Sequence, residues 1–502
     1  MLRLSSTTWL LALFLSIDLR NSYVLSANSK SSLNGKLQKN LFSNMKSRSV
    51  ASLSGKDLSL QAAAAASLPA DANVEGEATI ASSTFNLGKS IIGAGVLSIP
   101  SSIAFFSDSK FSLIPAGILS VLIGAMSAYS FSSIAKACSI HNVRSYQDAW
   151  AKSVDPNTGW VVSFATTSKC FLASLAYTII IGDTFSALSK TFNLPAILQV
   201  RNNILITIAT LVLLPLCSMK SLNALAPFSL LGLGGMIYTG VFMAIRYFDG
   251  SYFPGGKFYG HLTAATRPLF NTRPMSFTPA VFVLVSMLST SYIAHYNAPR
   301  FLSELKNPTM ERYNKMVGYA FLLACATYFF ITAAGFLTFG KNSLGFLLNN
   351  YSNQDILATF ARLAIGLGIL SGFPFTFTAC KDGMLDILRV PFEKRPQLMP
   401  ALNIGLLTLT TSLALVLKDV SFVVGFSGAL FGASIMYIFP ALMTINNIKA
   451  SMKEKSKGSP FGMPASTRQS LELYGNYGMT VVGVLFTIVG VTVSLLKEFK
   501  KM

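Results

Sequence analysis

From Glu77 onward an apolar segment of about twenty residues recurs every 35–45 positions or so, joined by mostly short polar connections. Runs of this kind are too long and too apolar for a soluble surface helix. A backbone that crosses lipid must also satisfy its own hydrogen bonds. The pattern therefore predicts an all-α polytopic membrane protein. Spans are expected near 80–104, 112–137, 160–187, 203–219, 224–247, 279–299, 314–339, 355–378, 400–417, 420–445 and 476–496. That makes about eleven crossings of a hydrocarbon layer ~30 Å thick. The balance of residues agrees: 52% are hydrophobic and 12% charged, about half the charge of a soluble domain.

Residues 1–79 stand apart as a tail. Arg3 precedes a short apolar run from Trp9 to Ile17, and 19–56 is rich in Ser, Asn, Lys and Arg without an acidic residue. Such a sequence suits a signal or transit leader, directing the protein to a plastid or endomembrane. It equally suits an interfacial helix on a disordered tail, with a plasma or vacuolar membrane location. Ala62–Ala66 and the residues after it form a linker.

The formal charge of +20 is spread over this tail and the connections, with no basic, aromatic-interleaved domain, so nucleic acid is not an expected partner. The bilayer is the expected one. Basic residues gather in the connections 138–159, 300–313, 379–399 and 446–475, which the positive-inside rule places in the cytosol. The sequon Asn350-Tyr-Ser falls on the opposite face. The five cysteines lie in or beside apolar runs and read as buried free thiols. No metal-ligand spacing, nucleophile motif or carboxylate pair inside the spans occurs, so neither an enzyme nor a cofactor is expected.

Two spans carry the chemistry. The first reads Phe85-Asn-Leu-Gly-Lys-Ser-Ile-Ile-Gly-Ala-Gly-Val-Leu97, with Gly93 and Gly95 at mid-membrane. A helix interrupted there frees amides and carbonyls for a ligand; close helix packing is the other use of such glycines. Lys89, one turn earlier, must face a polar interior or snorkel to the cytosolic edge. Lys169 lies deep in the third span, whereas Arg362 lies near an end of the eighth and reads as snorkelling. The sixth span crowds Ser289, Thr290, Ser291, Tyr292, His295 and Asn297 into one stretch ending at Pro299. These groups serve helix–helix hydrogen bonds or a binding site, and His295 is either structural or linked to proton movement.

Several motifs in order carry a resemblance. Phe85-Asn-Leu with Ile91-Ile-Gly-Ala-Gly-Val-Leu97, Ala176-Tyr-Thr-Ile-Ile-Ile-Gly-Asp183 and Ala294-His-Tyr-Asn297 with Phe301-Leu-Ser-Glu-Leu305 resemble the amino acid/auxin permease family. Ser145-Tyr-Gln-Asp148, Ala361-Arg-Leu-Ala364 and Val423-Val-Gly-Phe-Ser-Gly-Ala429 fit too. The likeness covers about 80–497 and is nearest the sodium-coupled neutral and vacuolar amino acid transporter branches. It implies a LeuT-type fold of two inverted five-span repeats, about 80–247 and 279–445, with an extra helix at about 476–496 and broken first and sixth helices. It also implies secondary active transport of an amino acid by alternating access. Ser90, Gly93, Ala94 and Gly95 would hold the substrate carboxylate, and Ser289, Thr290 and Tyr292 its amine and side chain. In one departure, Lys89 stands where sodium-coupled relatives usually carry Asn, beside the sodium site that Ser371 would complete. A tethered ammonium there repels Na⁺, so the expected coupling ion is H⁺, through Lys89 or His295. The alternative reading is an amino-acid-sensing receptor built on the same fold.

Overall fold

Each apolar run becomes helix because intrahelical bonds alone leave no polar backbone facing lipid. The computed structural model describes residues 76–219, 226–271, 279–456 and 467–499; the leader and linker lie outside them. Among the described residues, eight helices are individually long and apolar enough to cross a membrane. The first span adds a bent pair, Ile80–Ile91 and Ala94–Phe106, at 42°. The fifth, Ala226–Phe248, and the sixth, in pieces Val281–Ser291 and Ala298–Glu304, complete eleven.

Local chemistry sets the ends. Asp355 caps the eighth helix, Ile356–Ile387, accepting from the Leu357 amide at 3.0 Å. Asp419 caps the tenth, which begins at Val420, accepting from Ser421 at 2.9 Å. The seventh, Met310–Phe339, stops at Gly340, whose φ of +57° suits glycine, and a Cβ there would strike the Leu269 carbonyl. Ser145 caps a short helix, Tyr146–Ser153, between the second and third spans. The Tyr146 hydroxyl donates to the Ile435 carbonyl of the tenth span at 2.8 Å, so this motif anchors a connection.

Packing follows an inverted repeat in which spans 1–5 correspond to spans 6–10. The third span packs along the eighth and the second along the seventh. The first half of span 1 lies on the seventh, and the second half of span 6 lies on the second, as the repeat requires. The fifth packs on the seventh and eighth, and the tenth on the second and third. The eleventh, Thr467–Phe499, covers the sixth and tenth from outside the repeats. At the basic face Ala78 exchanges backbone hydrogen bonds with Glu304 and Lys306, tying the start of span 1 to the end of span 6.

Three sequence expectations change. Arg362 does not snorkel: it is 1% exposed, and Nη2 donates to the carbonyls of Tyr351 at 2.6 Å and Leu348 at 2.9 Å. It holds the loop between the seventh and eighth spans, because buried carbonyls there need donors that the chain does not otherwise supply. The eighth helix runs on to Ile387, so Lys381 lies in it rather than in a cytosolic loop, bonding Asn403 Oδ1 at 2.6 Å and the Cys217 carbonyl at 3.1 Å. Asn350 is buried; its amide takes the Leu344 N–H and gives to the Asn342 carbonyl, both at 2.8 Å. The sequon is therefore a loop brace and not an accessible glycan acceptor.

The long connection after the fifth span is fastened at Asp355. This buried carboxylate accepts a bidentate pair from Arg246 at 2.8 and 2.7 Å and the Tyr252 hydroxyl at 2.9 Å. Burial, with Asp355 alongside, holds the Tyr252 phenol above its usual range. Replacing Asp355 by Ala leaves Arg246 with Asp249 alone and takes away the acceptor of the Tyr252 hydroxyl. The expected loss is about 3 kcal/mol, read as a lower thermal unfolding midpoint of the detergent-solubilised protein; an unaltered midpoint contradicts this assignment.

Candidate functional site

The two interrupted helices meet at the centre. The first half of span 1 ends at Ile91; Ile92 and Gly93 are extended, and helix resumes at Ala94. The first half of span 6 ends at Ser291, with a helical turn resuming at His295. Each interruption frees a carbonyl, and one side chain meets both. Tyr328 of the seventh span is buried, with its hydroxyl 2.7 Å from the Ile91 carbonyl and 2.6 Å from that of Ser291. One hydroxyl hydrogen is shared between two acceptors, one on each broken helix.

Gly93, Ala94 and Gly95 open the second half of span 1. The first amides of a helix have no intrahelical acceptors, and its N-terminus carries partial positive charge. A Cβ at Gly95 would come to 3.5 Å from Ser291 Oγ, and one at Gly93 to 3.9 Å from the Tyr177 hydroxyl, both ordinary contacts. Gly428 in the tenth span differs, for a Cβ there would strike the Ser286 carbonyl and the Thr290 hydroxyl. Tight packing thus requires the tenth-span glycine, whereas the first-span pair would tolerate a methyl group. The free amides there suit a carboxylate.

The other expected residues divide. Ser90 is exposed beside the break and accepts from Asn297 Nδ2 at 3.2 Å. Ser289 donates to the Val285 carbonyl at 2.9 Å, and Thr290 to that of Val424 at 2.7 Å. Tyr292 is buried, with its hydroxyl 3.0 Å from Ser120 Oγ and its ring against Tyr328. In this conformation these three hydroxyls join helices. His295 does likewise: Nε2 lies 2.8 Å from Ser130 Oγ and 3.1 Å from the Ser127 carbonyl, fastening the sixth span to the second. Lys89 is half-buried one turn before the break. Ser371 donates to Gly368 within its own helix at 2.9 Å, and the two are not in hydrogen-bonding contact.

Sequence reasoning singled out Ser291 but missed Tyr328, Tyr177 and Ser427. Tyr328 is one of 17 tyrosines with nothing local to single it out. Lys169 was visible as a charge in an apolar span. The structure shows its Nζ donating to Ser427 Oγ of the tenth span at 2.8 Å and to Thr290 Oγ1 of the sixth at 3.3 Å.

Beside the breaks Ser90 is exposed, Asn297 is half-buried and Tyr296 is 38% exposed. On the other side Val96, Leu97 and Ser98 are buried, and Ser101 Oγ meets Ser421 Oγ of the tenth span at 3.0 Å. Exposure at the breaks therefore lies on the half toward the basic face. A polar recess of about 200 Å³ between Asp183 and Arg362 and a groove of about 940 Å³ beside the eleventh span lie away from the breaks.

Comparison with known proteins agrees with this architecture. Residues 76–467 match the family described as transmembrane amino acid transporter protein. The chain is similar to vacuolar amino acid transporter 5 of Schizosaccharomyces pombe, 25% identical over 74% of this chain and 85% of that one. It is also similar to the putative sodium-coupled neutral amino acid transporter 11 of Danio rerio, 27% identical over 74% and 80%. The crystal structure of MhsT in complex with L-phenylalanine superposes with a TM-score of 0.52 at 12% identity, over 84% of this chain and all of that one. At that identity the likeness concerns the fold, which is of the LeuT type.

Tyr328→Phe tests the hub. It leaves two buried carbonyls without their shared donor, at an expected cost of about 1–3 kcal/mol. Hydrogen exchange should quicken at 92–96 and 292–297; unchanged exchange there would show that the hydroxyl is dispensable.

Proposed function

The chain belongs to the transmembrane amino acid transporter family, and from that premise we propose that it moves amino acids across a membrane by alternating access, without sodium and coupled to protons. The observation that carries the reading is the meeting of two helix breaks at one buried hydroxyl, that of Tyr328. A half-helix N-terminus suits a substrate carboxylate, and exposure on only the basic side of the breaks suits one of the two states that a carrier must alternate between. The substrate would enter along Ser90, Tyr296 and Asn297 and rest against Gly93, Ala94 and Gly95. Ser289, Thr290 and Tyr292 would exchange their present partners for it as the helices move.

The coupling proposal rests on Lys89. Its ammonium stands one turn before the break, where a bound sodium ion would meet a like charge in poorly screened surroundings. The yeast relatives' vacuolar names support a vacuolar-type membrane as the location. A receptor built on this fold would bind amino acids without moving them, so flux separates the two readings.

The test uses the purified protein in liposomes, offered labelled amino acids under an imposed pH gradient or sodium gradient. Expected is accumulation driven by the pH gradient and indifferent to sodium. Lys89→Asn should weaken the pH drive. Accumulation by the wild type that requires sodium would overturn the coupling proposal, and binding without flux would favour the receptor.

A further inference from the structure

The groove of about 940 Å³ beside the eleventh span is lined by the second, seventh and eleventh spans. The second span packs along the seventh. It is fastened to the eleventh twice, by Asn476 Nδ2 donating to the Tyr129 hydroxyl at 2.7 Å and by Lys136 Nζ against Glu472 Oε1 at 2.7 Å. The lining changes character in step on all three helices. At the basic face stand Lys136, Asn314, Arg468 and Glu472, whereas Ala125, Met126, Val317, Gly318, Met479 and Val482 lie toward mid-membrane. About one turn deeper, Leu122, Leu322 and Leu485 are exposed, so the groove continues into lipid-facing surface.

Its length matches one leaflet. The second helix rises ~17 Å from Lys136 to Ala125, and the eleventh rises ~21 Å from Arg468 to Val482. Half a bilayer with its headgroups measures ~20–22 Å. The groove is therefore polar where headgroups lie and apolar where acyl chains lie. Two glycines keep its walls flat: a Cβ at Gly318 or at Gly475 would meet no described atom within 4 Å.

The mouth carries an excess of positive charge, with Lys136 and Arg468 against Glu472. The side chain of Lys136 is 46% exposed, and a surface pair of this kind is weak, which leaves its ammonium able to meet a phosphate as well. Arg468 is exposed and has no hydrogen-bond or ion-pair partner among the described residues. Its guanidinium fork matches the geometry of a phosphate. The connection that leads to Arg468 carries Lys449, Lys453, Lys455 and Lys457 against Glu454. A basic segment at a membrane surface gathers anionic lipid around it.

We propose that this groove binds one anionic phospholipid of the basic-side leaflet. Arg468 and Lys136 hold its charged headgroup, and an acyl chain lies along Gly318, Met479 and Val482. A zwitterionic lipid fits the apolar length equally well, but its amine meets the same two cations, so headgroup charge decides occupancy.

Photo-crosslinking of the full chain in phosphatidylcholine vesicles tests this by binding alone, independently of any transport. Phosphatidylserine or phosphatidylcholine with a diazirine in the acyl chain is added in equal amount, and adducts are mapped by peptide mass spectrometry. Ile404 and Leu409, exposed on the ninth span, report the surrounding lipid and serve as the reference. Expected are adducts at 317–318 and 479–482, favouring the phosphatidylserine probe by about fivefold, the factor that one basic residue at the surface contributes. Arg468→Gln should bring that ratio close to one. Gly318→Leu, which fills the wall, should reduce adducts at 479–482 from both probes. Equal labelling by the two probes in the wild type overturns the proposal. So does a wild type without groove adducts, the result if another part of the chain covers these residues. An undiminished ratio in R468Q overturns it as well, and the wild-type comparison stands even if a variant misfolds.

Discussion

A membrane helix can be interrupted only where something other than water or lipid receives its freed backbone groups. Here that condition is met twice by one phenol. Tyr328 reaches the carbonyls of Ile91 and Ser291, the last helical residues before each break. The extended backbone at Ile92–Gly93, the free amides at Ala94 and Gly95 and the approach of Ser291 all depend on those carbonyls being held. Because the hydroxyl has one hydrogen for two acceptors, the hub can favour either helix as the halves tilt. A rigid pair of donors would resist that motion.

Buried cations sort by what they bond. Arg362 is spent on loop carbonyls, Lys381 on Asn403 and a carbonyl of the fourth span, and Arg246 on Asp355. Each of these holds segments together away from the centre. Lys169 bonds hydroxyls on the sixth and tenth spans, beside the breaks. A buried lysine held by hydroxyls alone is a costly arrangement. Polar groups that looked alike in sequence thus have different duties: His295 and Tyr292 knit the sixth span to the second, while Tyr296 opens to water.

Much of this was legible beforehand because lipid imposes simple rules. Apolar length alone marked the spans, and mid-span glycines left the first open between a break and close packing. The likeness in ordered motifs then supplied the broken sixth helix and the repeat. Side-chain direction was not legible. Arg362 near a helix end could reach either headgroups or loop carbonyls, and the choice depends on where the loop 347–352 folds back. Asn350 fits a sequon equally well whether its amide is free or braced.

The sequence by itself determined that the chain is a bundle of membrane helices, which follows from hydrogen-bond satisfaction in lipid; its glycines and hydroxyls left the first and sixth spans open between interruption and helix packing. Only the tertiary structure decided that both spans break, that Tyr328 closes both breaks and that Lys169 stands at the meeting of the third, sixth and tenth spans. These are contacts between residues far apart in the chain, and no local pattern encodes which distant helix a side chain will meet.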